Sequence, residues 1–214
     1  MMILALEFSS DQRSVACSRD DAVLAEAIET GGRATNAMGM IEKVLKQAGI
    51  SPEEIGGIVI GLGPGSYTGI RTAMAVAEGW HLVRPVKFLG VSSVECLAAE
   101  AQAAGMAGRV HIVVDAQRGD VYHSIWTVSD ASLNESSPLK IFPAREIRAA
   151  VGPGEMVAGP EAIRWHEAAK TIFPSAATLC RLAAETSGLF GTALPEPIYL
   201  REVNFVKAPP SRSY

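Results

Sequence analysis

The chain has 214 residues, of which 48% are apolar, and its 23 acidic and 19 basic side chains give a formal net charge of −4. Because nucleic-acid affinity depends largely on Lys and Arg against phosphate, this acid-rich composition with scattered basic residues argues against tight RNA binding by the chain alone. Three cysteines without close spacing argue against a disulfide framework or a zinc site. The sequence has neither a basic leader nor an apolar run of about 18 residues. We therefore expect a protein of the reducing cytoplasm with no membrane span.

The N-terminal segment has the pattern of three consecutive strands. They are residues 2–9, "RSVACSRD" and "AVLAEAIET", and short turn-like polar groups separate them. Three such strands predict an antiparallel meander. The hydrophobic period then becomes helical in "ATNAMGMIEKVLKQAG", where Met38, Ile41 and Leu45 share one face and Gly49 is a suitable C-cap.

A strand, a glycine-rich loop and a second helix follow. The strand is predicted at residues 58–62 and the helix at residues 68–83. The segment "GLGPGSYTGIR", residues 61–71, spans the junction between them. "VKFLGV" predicts a fifth strand, and "SSVECLAAEAQAAG" predicts a third helix with a serine as its N-cap.

Residues 105–108 are glycine-rich and are the predicted joint between two lobes. After them, "RVHIVVDAQRGDVYHSIWTV" predicts two strands joined by a turn at residues 116–119, and residues 130–138 are polar enough to predict a mobile loop. Short helices, one further strand and an extended, proline-rich tail complete the chain.

This order of elements predicts an α/β protein with two lobes built on one plan, in which helices flank mixed sheets. That plan is the actin-like (ASKHA, ribonuclease H-like) fold, which actin, sugar kinases and Hsp70 ATPase domains share. We expect residues 1–105 to form an N-terminal lobe that carries partner-docking helices, and residues 106–214 to form a C-terminal lobe with an extended tail.

The glycine-rich loop is neither of the two best-known phosphate-binding motifs. A P-loop needs Gly-Lys-Ser/Thr at the helix start, where this chain has Gly69-Ile70-Arg71, and the dinucleotide fingerprint needs a glycine where Ser66 stands. Two interpretations remain: a sharp corner that lets the helix pack closely, or a turn whose free N–H groups attract an anion. The candidate anion contacts are Gly63, Gly65 and Ser66.

No catalytic or metal-ligating residue is predicted. The four histidines do not occur at metal-binding spacing, and Ser66 lacks the flanking glycines of a hydrolase nucleophile. Asp115 and Asp120 flank a predicted hairpin, where carboxylates either make turn hydrogen bonds or hold Mg²⁺ through water.

The second helix is apolar around nearly its whole circumference, and a helix of that kind must be buried on all sides. Either the third helix and the second lobe bury it within the chain, or it pairs with the first helix to form a docking surface for a partner. The second interpretation predicts these interface residues: Met38, Ile41, Leu45, Ile70, Arg71, Met74 and Glu78.

Four segments, "ILALEFSSDQRSVAC", "GLGPGSYTGIRTAMAVAEG", "VVDAQRGDVY" and "PIYLRE", occur in an order and at distances that resemble the TsaB (YeaZ) family. The resemblance implies the actin-like two-lobe fold and a degenerate copy of the transferase TsaD. It implies a non-catalytic partner subunit for threonylcarbamoyl transfer to the adenosine 3′ of the anticodon in tRNA. It also implies a heterodimer with TsaD through the first two helices of each protein, cooperation with the ATPase TsaE, and contact with tRNA only through the complex.

Further expectations accompany this resemblance. A homodimer through the same helices is expected in isolation, no cofactor is expected to bind tightly, and ATP or ADP near the partner interface is the candidate nucleotide. Two departures stand out: Glu7-Phe8-Ser9-Ser10 replaces the Asp-Thr-Ser-Thr usual after the first strand, and the polar start of the first helix is altered. The alternatives are an ATP-dependent phosphotransferase of the same fold and a metalloprotease.

Overall fold

The computed structural model describes residues 1–31 and 35–201 and contains two five-stranded mixed sheets flanked by helices, which confirms the predicted fold class. Within the described residues, no helix combines the length and apolar character needed to cross a membrane. The strands are β1 (Met2–Glu7), β2 (Gln12–Arg19), β3 (Ala22–Thr30), β4 (Gly57–Gly61), β5 (Lys87–Val91), β6 (Gly108–Asp115), β7 (Asp120–Ser129), β8 (Ser132–Pro143), β9 (Met156–Gly159) and β10 (Lys170–Thr171). The helices are α1 (Ala37–Ala48), α2 (Tyr67–Val83), α3 (Ser93–Ala103), α4 (Ile147–Ala150) and α5 (Ala176–Glu185).

The first sheet has the strand order β3-β2-β1-β4-β5. Strands β1, β2 and β3 pair antiparallel, as the meander predicted, whereas β4 and β5 join parallel to β1 and to each other. Strand β1 is central and covered on both faces, which explains why "MILALE" is almost continuously apolar and fully buried.

The second sheet has the order β10-β9-β6-β7-β8, and β6 and β7 form the predicted hairpin. The mobile loop predicted at residues 130–138 is wrong, because β8 runs from Ser132 to Pro143 and pairs antiparallel with β7. A strand at the edge of a sheet exposes much of its surface to water, so its polar sequence resembles that of a loop.

The helices cover both sheets, and two of them cross between the halves of the chain. Helices α1 and α2 lie over one face of the first sheet, and α5 packs on β1 and β2 of the same sheet although it comes late in the sequence. Helix α3 contacts β6, β7 and β8 of the second sheet. The lobe boundary at residues 105 and 106 therefore stays a prediction, because packing links each half of the chain to the other.

A chain of hydrogen bonds on the second sheet buries two histidines. His111 is fully buried, and its Nε2 donates to Glu155 Oε2 at 2.8 Å, since a carboxylate only accepts. Its Nδ1 must then accept from His123 Nε2, 2.9 Å away. Among the described residues, His123 Nδ1 is left buried with no hydrogen-bond partner. Burial, the neighbouring His111 and Lys140 lower the pKa of His123 from 6.5 to about 4.

We expect this histidine to make the protein less stable at mildly acidic pH. The folded pKa lies below the unfolded one, so the unfolded chain binds more protons between the two values, and about 2 kcal/mol of unfolding free energy is lost by pH 5. Glu155, whose pKa is lowered to about 2 by hydrogen bonds from Gly152 and His111, loses its contribution only below pH 4.5. Urea unfolding at pH 7 and pH 5 measures the difference.

The matched control is His123→Gln, which keeps a donor directed at His111 but does not titrate. Its loss of stability between pH 7 and pH 5 should be smaller than that of the unchanged chain by about 2 kcal/mol. An equal loss in both proteins would contradict the assignment to His123.

Candidate functional site

Helices α1 and α2 begin and end at residues whose side chains and backbone suit those positions. Asn36 caps α1 by accepting a hydrogen bond from the Gly39 amide at 3.3 Å, and Gly49 ends it in the left-handed conformation with φ of 67°. Ser66 caps α2, and its hydroxyl accepts from the Gly69 amide at 3.2 Å. These local signals give both helices defined positions on the sheet.

An open groove of about 920 Å³ runs between the two helices and is lined mainly by apolar atoms. We call it the docking groove. Its apolar lining consists of Met38, Ile41, Leu45, Ile50, Pro52, Ala75, Val76, Gly79, Trp80 and Val83, and charged residues at its rim are Glu42, Lys46, Glu53 and Arg84. Val83 is 89% exposed and its neighbour Leu82 is 81% exposed, so the last turn of α2 presents large apolar side chains to solvent.

The predicted interface residues fall into two groups. Met38, Arg71 and Glu78 are exposed and Met74 is half-buried, so these four are accessible to a partner. By contrast, Ile41, Leu45 and Ile70 are only 2%, 6% and 1% exposed. Ile41 and Leu45 form the floor of the docking groove, whereas Ile70 packs beneath the glycine-rich loop beside Gly63.

Several accessible residues of the groove were not predicted. Ala75, Gly79 and Val83 follow one another at helical spacing on the outward face of α2, and Trp80 lies beside them, half-buried. The sequence indicates the outward face of α2 only weakly, because almost every position of this helix is apolar or small. Only the location of the sheet identifies which face points outward.

Two backbone N–H groups of the glycine-rich loop donate to groups inside the protein. The Gly63 amide donates to Ser93 Oγ at 3.1 Å, and the Ser66 amide donates to the Ser9 carbonyl oxygen at 2.7 Å. A Cβ at Gly65 would collide with the same Ser9 carbonyl, and one at Gly69 would collide with the carbonyl oxygen of Phe8. These contacts support the interpretation of the loop as a close-packed corner, while the anion contact at Gly63, Gly65 and Ser66 stays a prediction.

Glu7 stands at the end of β1 and is fully buried beneath this corner. Its Oε1 accepts from the Ser9 amide at 2.7 Å, and its Oε2 accepts from the Ser93 hydroxyl at 2.8 Å. Burial raises the pKa of the Glu7 carboxyl, and the hydrogen bonds from Ser9 and Ser93 oppose that rise. Gly61 has no room for a side chain because the Glu7 carboxyl occupies that space. Glu7 thus ties the first strand to Ser93 at the start of α3, and the Ser93 hydroxyl in turn accepts from Gly63 of the loop.

A polar cleft of about 700 Å³ lies between the two sheets, and Gly65 and Ser66 form part of its wall. The two predicted hairpin carboxylates lie at this end of the molecule. Asp115 accepts from the Gln117 amide at 2.7 Å and pairs with Arg164 at 3.3 Å, and Asp120 pairs with Arg201 at 3.0 Å. In the part of the chain that the structure describes, no three His, Cys, Asp or Glu side chains are grouped as metal ligands.

Comparison with known proteins finds relatives of this chain in sequence. The family model of TsaD, tRNA N6-adenosine threonylcarbamoyltransferase, matches residues 32–136. The Bacillus subtilis tRNA threonylcarbamoyladenosine biosynthesis protein TsaB is 32% identical over 142 residues, which are 64% of this chain and 60% of that protein. Its Escherichia coli counterpart is 32% identical over 123 residues, 57% of this chain and 53% of that protein. The matched region thus spans little more than half the length of these curated relatives.

Solved structures agree over a longer range. YeaZ from Pseudomonas aeruginosa superposes with a TM-score of 0.78 at 25% identity and covers 93% of this chain and 99% of its own. A second structure, of an uncharacterized protein with similarity to peptidase YEAZ from Pseudomonas aeruginosa, gives a TM-score of 0.80 at 25% identity over 94% of this chain and 99% of its own.

Two mixed sheets flanked by helices, with a polar cleft between the sheets, define an α/β protein of the same fold class as these two solved structures. Within that class the sequence motifs, the curated relatives and the nearly full-length structural matches agree on one group. The chain is similar to the TsaB (YeaZ) proteins in sequence and in fold.

Proposed function

We propose that this protein is a non-catalytic subunit that supports a TsaD-type transferase in forming threonylcarbamoyladenosine in tRNA, and that it binds the transferase through the docking groove. The observation that carries this proposal is the open apolar groove between α1 and α2. The names of the B. subtilis and E. coli relatives supply the pathway.

The shape and composition of the groove favour a helical partner. Exposed apolar patches of this kind commonly mark protein–protein contacts. The groove runs between two helices, so its apolar floor matches the apolar stripe of an amphipathic helix. Methionine and small residues at its edges, such as Met38, Ala75 and Gly79, suit an adaptable and closely packed contact.

Charged residues at the rim supply the specificity that apolar contact lacks. Glu42 and Lys46 lie on α1, and Arg84 follows α2, so both signs of charge border the apolar floor. Complementary charges across an interface mainly set register and partner choice. We infer that the partner carries an apolar stripe flanked by charges of both signs.

The internal use of polar groups supports a role without chemistry. The Gly63 and Ser66 N–H groups of the loop bond within the protein, Glu7 is buried under the loop, and Asp115 and Asp120 pair with arginines. Groups committed in this way are less available to nucleotide or metal than a phosphotransferase would require. We therefore favour the partner-subunit function over the ATP-dependent phosphotransferase and over the metalloprotease.

We propose the following assembly. The TsaD-type subunit forms a heterodimer with this chain through α1 and α2, and an ATPase of the TsaE type joins that heterodimer. In isolation two copies of the chain cover the groove as a homodimer. Contact with tRNA runs through the transferase, and ATP or ADP binds near the partner interface.

The test mixes the purified chain with the TsaD subunit of the same cell and measures mass by light scattering on a sizing column. We expect a stable 1:1 species, and threonylcarbamoyladenosine formation that requires both proteins together with TsaE. Absence of a 1:1 species at micromolar concentration, with each protein shown to be folded, would refute the proposed function.

A further inference from the structure

The last described part of the chain, residues 190–201, follows a path that joins three parts of the protein. It first pairs with the free edge of the first sheet, where Gly191 and Phe88 exchange hydrogen bonds of 2.9 and 2.8 Å. The Ile198 amide then donates to the carbonyl oxygen of Leu62, at the start of the glycine-rich loop, at 3.0 Å. We call this segment the strap.

Further along, the strap reaches the first turn of α2. The rings of Tyr199 and Tyr67 lie with centroids 5.6 Å apart, at 30° to each other. One turn later on α2, the Arg71 guanidinium lies 5.2 Å from the centre of the Tyr67 ring and donates to its hydroxyl at 3.1 Å. Tyr199 also lies close enough to interact with this guanidinium. The strap therefore packs on the N-terminal end of α2.

The strap ends on the second sheet. Arg201 Nη2 bonds to Asp120 Oδ2 at 3.0 Å and to the Ala116 carbonyl oxygen at 3.3 Å, both at the β6–β7 turn. The two charged side chains are 33% and 31% exposed, so this pair is shielded more than a pair on the open surface. We call it the latch.

We propose that the strap positions α2 for docking, and that the latch between Arg201 and Asp120 keeps the strap in place. This inference rests on the proposed function of the docking groove. It assigns a role to "PIYLR" at residues 197–201, whose side chains lie outside the groove.

The physical reason is preorganisation. Tyr67 and Arg71 are exposed on α2, and among residues 1–31 and 35–201 no carboxylate pairs with Arg71 within salt-bridge distance. Tyr199 and Tyr67 hold this guanidinium in one orientation before any partner arrives. If the strap is released, ordering these side chains becomes part of the cost of docking, which should weaken affinity about fivefold to tenfold.

The experiment measures the affinity of full-length variants for the TsaD-type subunit by titration calorimetry. Arg201→Glu places two carboxylates together at the latch, and Asp120→Arg places two cations together. Each should weaken binding about fivefold to tenfold, and the double variant Arg201→Glu/Asp120→Arg should recover to within about twofold because the pair is restored with its charges exchanged.

Arg164→Glu is the matched control, since Arg164 pairs with Asp115 at the same cleft but does not lie on the strap. It should leave affinity unchanged. A second pair separates the two contacts of Tyr199: Tyr199→Ala should weaken binding about fivefold to tenfold. Tyr199→Phe keeps the ring contact with Tyr67 but lacks the hydroxyl near Arg71, so it should weaken binding by a smaller factor. Unchanged affinity in Arg201→Glu, or an equal loss in Arg164→Glu, would overturn the proposal.

The strap can fail while the proposed function survives. If Ala75→Glu in the groove abolishes binding but Arg201→Glu does not alter it, only the role of the strap is refuted. If Ala75→Glu also binds normally, the docking groove itself is refuted.

Discussion

Replacing Ala75 with glutamate should weaken binding to the TsaD-type subunit at least about 100-fold, or about 3 kcal/mol. Ala75 lies on the exposed face of α2 and lines the docking groove. A docked partner would bury the new carboxylate against apolar side chains, and an unpaired charge in such a contact is strongly unfavourable. Titration calorimetry and the 1:1 species on a sizing column both report this loss.

The isolated variant should remain folded, which makes the result interpretable. Glutamate is almost as good a helix former as alanine, so an exposed substitution within α2 should cost no more than about 0.5 kcal/mol in stability. Ala149→Glu on the exposed surface of α4 is the matched control and should bind normally. Normal binding by Ala75→Glu would show that the partner does not dock in this groove.

Ile41 is a less suitable position for the same test. It is 2% exposed and belongs to the core beneath α1, so Ile41→Glu would report on folding as much as on docking. The sequence does not separate these cases, because Ile41 and Met38 share one apolar stripe of α1. The sheet under the helix buries Ile41 and leaves Met38 65% exposed.

The features that the sequence predicted correctly depend on neighbours in the chain. The three-stranded meander, the strand–loop–helix unit and the C-cap Gly49 all follow from hydrophobic period and local backbone preference. The glycine-rich loop was predicted as either a corner or a phosphate contact. Contacts between distant parts of the chain support the corner, among them the collision of a Cβ at Gly65 with the Ser9 carbonyl, 56 residues away in sequence.

The features that the sequence did not predict depend on contacts between distant parts of the chain. Helix α5 returns to the first sheet, where the Ala176 amide donates to Ser14 Oγ across 162 residues of sequence. The latch joins Asp120 to Arg201, and the buried histidine pair depends on the register of β6 with β7. No local period carries such information, because the same residues at another register would look identical in sequence.

Glu7 illustrates how one substitution is understood only in three dimensions. In sequence it stands where the family resemblance leads us to expect the aspartate of Asp-Thr-Ser-Thr. In the structure its carboxyl points under the glycine-rich loop and accepts from Ser9 and Ser93. The longer side chain thus connects β1 to the start of α3, and α2 begins on a corner that this contact helps to hold.

That corner should be highly sensitive to a single methyl group. Gly69→Ala is expected to lower the free energy of unfolding by at least about 3 kcal/mol, because overpacking against rigid backbone cannot be relieved by a side-chain rotation. The added Cβ would collide with the Phe8 carbonyl oxygen, so either the first turn of α2 or the end of β1 must move. Urea unfolding of the isolated chain measures the loss.

Gly79→Ala provides the matched control within the same helix. A Cβ at Gly79 meets no atom within 4 Å, and alanine favours the helix over glycine by about 1 kcal/mol, so this variant should be slightly more stable than the unchanged chain. If Gly69→Ala lowers the free energy of unfolding and Gly79→Ala raises it, close approach to the backbone, and not helix propensity, is the reason that position 69 requires glycine. A Gly69→Ala protein as stable as the unchanged chain would mean that the corner yields easily. In that case β1 and the loop would not fix the position of α2, and only the contacts of α2 with the sheet and the strap would hold it.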